Sequence, residues 1–426
     1  MDNSLIKYHF IGIKGTGMAS LASIMKDLGY SVSGSDVEEE YFTSKKLKAK
    51  GLKALLFDKS NVTEDKIYIA SACYGRENIE VNEVMKKGYP LYYYHEFIEK
   101  FFKNKIGISG THGKTTTTSI ISKLFEKEKI AFLIGDGTGE ADSNYDYFIF
   151  EACEYKNHFL EYNYDYLIIN NIDYDHPDFF ESMDSVIESF NEAAKRSKYL
   201  IVNYDDINSR NIKHDNKLSF GMDENADIVG KIIETHQGGY TIKVSIEGKY
   251  YQFYLPFIGK HMIYNFLAAL SVYYLVGLDF NDIQDLLLSY IKPSRRMEEY
   301  YYYDNVVIDD YAHHPVEIKA CIDSIQQKYP NKELVIIFQP HTYSRTLAMK
   351  EEFREVFKDV ELYLIKTFTS KREGSNKELD KEVFNVFSNA KMFREEDLKT
   401  IKKMSNKVIL FLGAGNLDRY IKNIIG

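Results

Sequence analysis

The chain has 426 residues, more than one hydrophobic core usually supports, so two or three domains are expected. Its 44% hydrophobic and 27% charged residues exclude long disorder, and a formal charge of -9 excludes a broad nucleic-acid footprint or attraction to an anionic membrane surface. Cys73, Cys153 and Cys321 stand far apart in no metal-ligand spacing, and the longest apolar segment, residues 266–278, is too short to span a bilayer. With no basic leader before the strand-like residues 6–12, these features predict a soluble cytoplasmic protein.

Residues 1 to about 103 alternate strand-like and helix-like stretches, which predicts a parallel sheet with crossover helices. The first turn reads Gly12-Ile-Lys-Gly15-Thr-Gly17, and the second strand ends at Asp36, nearly twenty residues further on. This is close to a dinucleotide fold, but the glycines run G-x-x-G-x-G, so a nucleotide diphosphate suits the turn better than NAD. Glycines admit a pyrophosphate to the helix N-terminus, and Asp36 can accept hydrogen bonds from ribose hydroxyls. Tight strand-to-helix packing would give the same glycines.

From about 104 to 292 the chain opens on Gly110-Thr-His-Gly113-Lys114-Thr115, between an apolar run and a helical pattern. Gly110 and Gly113 let backbone N–H groups face one anion, Lys114 adds a full positive charge, and the Thr115 hydroxyl is placed for magnesium. The standard P-loop would have Gly at position 108, where this chain has Ile. A strand at 147–150 then delivers Glu151, where a magnesium ligand belongs beside such a loop. Residues 170–178, Asn-Asn-Ile-Asp-Tyr-Asp-His176-Pro-Asp, suggest a second metal or phosphate site; a hydrogen-bonded turn before Pro177 is the alternative. Residues 226–257 read as a hairpin excursion centred on Gly238-Gly239, and residues 259–265 open a buried helix.

Residues from about 293 to 426 form a third unit, again doubly wound, beginning at Pro293-Ser-Arg-Arg296. Its strand ends carry Asp309-Asp310-Tyr-Ala-His313-His314-Pro315, Gln339-Pro-His-Thr-Tyr-Ser-Arg345-Thr346 and Gly413-Ala-Gly-Asn416. Ligands of open α/β sheets bind outside the carboxyl ends of strands, so these clusters should converge on one crevice. Two phosphate turns and a polar third unit predict an enzyme that brings a nucleotide triphosphate to a phosphorylated second substrate.

The ordered motifs at 12–20, 110–115, 150–155, 171–178, 309–315 and 339–346 resemble the Mur ligase family over nearly the whole chain. The resemblance implies three α/β domains: a Rossmann-like UDP-sugar domain (1–103), a central P-loop ATPase-type domain (104–292) and a Rossmann-like domain binding the amino acid (293–426). It implies ATP-dependent ligation of L-alanine to the carboxylate of UDP-N-acetylmuramate through an acyl phosphate, with Mg2+, by a monomer or homodimer in peptidoglycan precursor synthesis. Gly110, Thr111, His112, Gly113, Lys114, Thr115 and Thr116 would hold ATP phosphates, and His261 and Asn265 would contact adenine. Thr115 and Glu151 would share one magnesium, and Glu151 and His176 a second. Arg296, Asp310 and His314 join Lys114, Glu151 and His176 as expected catalytic residues. Gly15, Gly17, Asp36 and Ser71 would meet the UDP moiety, and His313, His314 and Arg345 the muramyl carboxylate or alanine.

Two positions depart from the family pattern: Met262, where Asn is frequent, and Thr342, where many relatives carry Arg. The nearest rival is a relative that attaches a whole tripeptide to the same sugar nucleotide; the Pro-His-x-x-Ser-Arg-Thr pattern at 340–346 favours single alanine addition. A non-catalytic nucleotide sensor is disfavoured by intact Lys114, Glu151 and His176, and an NAD-dependent oxidoreductase by the permuted glycines.

Overall fold

Short apolar strands alternating with helices produce three sheets in succession along the chain. The computed structural model describes residues 3–369, 373–387 and 389–426. The first sheet holds β1 (Lys7–Ile11), β2 (Ser31–Asp36), β3 (Ala54–Leu56), β4 (Ile67–Ala70) and β5 (Leu91–Tyr93). Its order is β3-β2-β1-β4-β5 and every pair is parallel. The order reverses at β1, so the crevice of this sheet opens beside the Gly12–Gly17 turn.

The central sheet is built around β6 (Lys105–Ser109), all five residues of which are buried. The strands that follow are β7 (Ile130–Leu133), β8 (Gly139–Ala141), β9 (Tyr147–Glu151), β10 (Tyr164–Ile169), β11 (Ser197–Asn203) and β12 (Lys217–Gly221). They are completed by β13 (Ile228–His236), β14 (Gly239–Ile246) and β15 (Lys249–Leu255), giving the order β15-β14-β13-β12-β11-β10-β6-β9-β7-β8. Register explains the site: Ile108 of β6 lies beside Glu151 of β9, and Ser109 beside Ile169 of β10. Glu151 and the Asn170-Asn171 turn therefore flank the loop that leaves β6. Gly107 allows this packing, since a Cβ there would lie 2.3 Å from the Tyr164 ring.

The expected hairpin at 226–257 is instead a three-stranded antiparallel meander on the sheet edge. Its second turn, Glu247-Gly248, has positive φ at both residues, the geometry of a two-residue hairpin, and the Gly238-Gly239 signal had masked it. Helix Lys260–Val276 packs on this sheet against helix Lys114–Leu124 and is buried along most of its length.

The third sheet contains β16 (Glu298–Tyr302), β17 (Asn305–Asp310), β18 (Glu333–Phe338), β19 (Glu361–Leu364), β20 (Lys391–Met392) and β21 (Lys407–Leu412), ordered β16-β17-β21-β18-β19-β20. Only β16 runs antiparallel. Asp310 and Phe338 both lie beside Leu412, so the segments leaving β17, β18 and β21 emerge at one edge, as the doubly wound pattern predicts.

Candidate functional site

The P-loop leaves β6 through two left-handed glycines, Gly110 at φ 127° and Gly113 at φ 81°. A Cβ on Gly113 would meet Asn265 Oδ1 at 2.6 Å, so close approach and backbone conformation both require glycine. Asn171 shapes the loop, its carbonyl and Oδ1 accepting from the N–H groups of Thr111 (3.1 Å) and His112 (2.8 Å). Lys114 Nζ donates to the carbonyls of Gly110 and Thr111 and lies 3.0 Å from Glu154. Burial opposes its charge, but the Glu154 carboxylate wins and pushes the ammonium up to about 12.

Glu151 is flanked by the Gly135 N–H, which donates to its Oε1. Burial raises its carboxyl above the usual range, against the backbone hydrogen bond and the charges of Lys114 and Arg296. A carboxylate so placed gains most from a hard cation. His176, in a left-handed conformation at φ 55°, packs on the Tyr155 ring and lies 3.7 Å from Glu154 and Asp175, and its buried Nδ1 has no hydrogen-bond partner. Thr115, Glu151 and His176 line one cavity, in which the desolvated carboxylate and the hydroxyl oxygen suit a hard cation such as magnesium.

His112 lies between two lobes. Its Nε2 faces Asp173 at 3.4 Å, its Nδ1 faces Glu317 at 3.3 Å, and its ring packs 4.5 Å from that of His314. Burial opposes protonation, but the hydrogen bonds to Asp173 and Glu317 raise the imidazole to about 9. Ligand atoms of His112, Asp173 and His314 lie within 4.8 Å of one another. His314 is engaged at both nitrogens, Nδ1 accepting from the Val316 N–H and Nε2 facing the Tyr174 carbonyl. Of the trio only His112 and Asp173 share a hydrogen bond, and His314, packed on the His112 ring, caps helix Pro315–Lys328.

The junction into the third lobe is strained around Arg296. Arg295 (φ 59°) and Met297 (φ 50°) are both left-handed, a cost that local contacts must offset. Arg295 pairs with Asp309 at 3.2 Å, and Arg296 Nη2 donates to Thr115 Oγ1 at 3.2 Å. Asp310 accepts the Met297 N–H (2.7 Å) and the Ala312 N–H (2.8 Å), so in this structure it shapes the junction.

Two cavities follow. One, of about 400 Å³, is lined by His112, Thr116, His261, Asn265, Tyr290 and Lys292. Burial lowers His261 to about 4, so its ring is neutral near pH 7 and free to hydrogen-bond as donor and acceptor. The other, of about 410 Å³, is lined by residues of all three lobes, among them Gly17, Lys114, Glu151, His176, His313 and Arg345. His313 is lowered to about 4 by burial and by Arg345, and its Nδ1 faces the Tyr311 carbonyl at 3.0 Å. Arg345 forks onto Asp175 through Nε (2.8 Å) and Nη2 (3.1 Å).

Three sequence models of one family match most of the chain: "Mur ligase family, catalytic domain" at residues 7–106, "Mur ligase middle domain" at 108–273 and "Mur ligase, glutamate ligase domain" at 295–415. The chain belongs to the Mur ligase family. Among solved structures it is similar to the UDP-N-acetylmuramate-alanine ligase of Thermotoga maritima, at 21% identity and TM-score 0.81, covering 99% of this chain and 98% of that one. A murein peptide ligase from Psychrobacter arcticus matches at 20% identity and TM-score 0.73, covering 98% of each chain. A pseudomurein peptide ligase type C from Methanothermus fervidus matches at 18% and 0.68, covering 98% of this chain and all of that one.

Not every expected residue of this Mur ligase reaches a cavity wall. Gly15, Asp36 and Ser71 stand at the carboxyl end of the first sheet, outside both cavities, and Gly110 and His314 lie behind the walls. Asp36 is buried, and its carboxylate accepts the N–H groups of Lys14 (2.7 Å) and Val37 (2.8 Å), so its first duty is to hold the glycine turn. Sequence reasoning missed Glu154, Asp175, Glu317 and Asp136. Glu154 and Asp175 both lie inside quoted motifs, in the segments that follow β9 and β10, and their place in those motifs was the available signal.

Proposed function

We propose that this Mur ligase joins L-alanine to the lactyl carboxylate of UDP-N-acetylmuramate at the expense of ATP, forming ADP and phosphate. The observation that carries the reading is the three-lobed cavity, in which the P-loop lysine, a desolvated glutamate, a histidine and a buried arginine face one space. In this reading the first lobe (1–103) holds the UDP-sugar, the central lobe (104–292) holds ATP and the third (293–426) receives the amino acid. A carboxylate is a poor electrophile, so phosphoryl transfer must precede amine attack.

Gly113, Lys114 and the N-terminus of helix Lys114–Leu124 would bind the β- and γ-phosphates, and Asn265 with neutral His261 would contact the base from the neighbouring cavity. Thr115, Glu151 and His176 would hold magnesium, which when bound supplies positive charge to the transferring phosphoryl group. Arg345, kept in place by Asp175, would attract the amino acid carboxylate, and enclosure by three lobes would keep water from the acyl phosphate. The likeness to a UDP-N-acetylmuramate-alanine ligase supports single alanine addition, and the likeness to a murein peptide ligase keeps a peptide amine as the second reading.

Amino-acid-dependent ADP formation with UDP-N-acetylmuramate tests the proposal. L-alanine is expected to drive turnover and a murein tripeptide is not; turnover with the tripeptide alone would replace the first reading with the second.

A further inference from the structure

Asp136, in the turn between β7 and β8, is buried and is touched by all three lobes. Lys46 of helix Phe42–Ala49 places its ammonium 2.7 Å from Oδ2. The Thr138 N–H of its own turn donates to Oδ1 at 2.9 Å, and the Ser294 N–H, at the head of the third lobe, donates to Oδ2 at 3.1 Å. Burial works against the charge, but Lys46 holds the carboxyl below its usual range. Lys46 also donates to Thr138 Oγ1 at 2.6 Å, which fixes it on this turn.

Each arm of this contact leads to a substrate turn. Thr43, on the same helix as Lys46, donates through Oγ1 to the carbonyl of Lys14 at 2.5 Å, inside the Gly12–Gly17 turn. The helix and the Asp136 turn are pressed together, since a Cβ on Gly137 would lie 2.7 Å from Thr43 Cγ2. Ser294 stands two residues before Arg296, whose guanidinium reaches Thr115 of the P-loop. Displacing the first lobe would strip a buried carboxylate of its cation, a cost that biases the lobe toward the position seen here.

We infer that Asp136 is a positioning residue that couples occupancy of the sugar-nucleotide turn to the seating of Arg296 on the P-loop. The inference rests on the reading of the first lobe as the UDP-sugar site and the central lobe as the ATP site. A ligand that holds the first lobe against the central sheet reinforces the Lys46 contact, and the reinforced contact steadies Ser294 and the arginine behind it. By linkage the effect is reciprocal, so each nucleotide tightens the other. The quantity that reports this coupling is the ratio of nucleotide affinities with and without the sugar nucleotide.

The test measures binding of adenylyl imidodiphosphate with Mg2+, with and without saturating UDP-N-acetylmuramate, in the full chain and in Lys46→Met and Asp136→Asn. The parent chain is expected to show roughly 10-fold tightening, within the usual range of coupling between sites. Both variants are expected to fall below about 2-fold, with coupling lost in excess of any change in affinity for either ligand alone. Lys46→Met removes the contacts to Asp136 and Thr138 Oγ1 while the Thr138 and Ser294 N–H donors remain, and Asp136→Asn removes the charge itself, so loss of coupling in both variants marks the lobe link. Full coupling in Lys46→Met, or a parent chain that binds both ligands independently, would overturn the inference alone. A parent chain that does not bind the sugar nucleotide would overturn the functional reading with it.

Discussion

Arg296 and Thr115 are 181 positions apart, yet the guanidinium of one donates to the hydroxyl of the other at 3.2 Å. The bond ties the left-handed junction of the third lobe to the first turn of the P-loop helix. A planar fork reaches this oxygen while stacking over the Tyr311 ring, 5.3 Å from its centroid; a lysine ammonium has no such plane. Arg296→Lys is therefore expected to lower kcat about 10- to 100-fold despite the retained charge, an effect of one lost preorganised donor or somewhat less. Steady-state ADP release would check it, and parental kcat in the variant would remove Arg296 from the site.

Lys114 is the lysine of the P-loop, and its ammonium is held charged by Glu154. Lys114→Ala removes a preorganised contact to developing charge, worth on the order of 3 kcal/mol, so turnover is expected to fall about 100-fold or more. Phosphate release with UDP-N-acetylmuramate and L-alanine measures this. Near-normal rates would mean that the loop does not bind the triphosphate.

Asp36 acts on the opposite lobe. Its carboxylate fixes the Lys14 and Val37 N–H groups, and Tyr74 OH donates to it at 3.4 Å. Asp36→Ala is expected to raise KM for the UDP-sugar several-fold while sparing KM for ATP measured at saturating UDP-sugar, because the P-loop sits on a different sheet. Equal changes in both constants would reject the division of sites.

The architecture was legible because strand ends and glycine turns follow local rules. Gly113-Lys114-Thr115, Glu151 and His176 were readable as residue types with one chemistry, and register in the central sheet explains why they meet. What could not be read were partners from distant lobes. Glu154 and Asp175 sit inside motifs that were read for their neighbours and Glu317 lies outside any, and each matters through a cation that only the tertiary fold supplies: Lys114, Arg345 and His112. The 226–257 meander was misread because one glycine pair hid a second, shorter turn.

His112 gives the lobe boundary a pH dependence. Its imidazole stands at about 9 in the folded chain, against about 6.5 in an unfolded one. A raised value means that folding takes up a proton, so the stabilisation is complete below about pH 6.5 and fades as pH rises through 9. The melting-temperature gap between the parent chain and His112→Gln is therefore expected to be widest near pH 6 and to narrow by pH 10. A gap that stays constant would show that His112 is not charged between Asp173 and Glu317.

Arg345 and Asp175 form a bidentate ion pair that joins the third lobe to the central one with almost no exposure: the arginine is 2% accessible and the aspartate 8%. Burial opposes both charges, yet the arginine holds the Asp175 carboxyl well below its ordinary range. Removing one partner leaves the other charged and desolvated, which costs about 3–5 kcal/mol, whereas replacing both with apolar groups can be close to neutral. Arg345→Met alone should lower the denaturant midpoint sharply, and Asp175→Leu combined with Arg345→Met should recover much of that loss. Activity separates the roles, because the double variant regains the packing and still lacks the guanidinium proposed to receive the amino acid carboxylate. It should be stable and have a greatly raised KM for L-alanine; a stable double variant with parental KM would confine Arg345 to holding the lobes together.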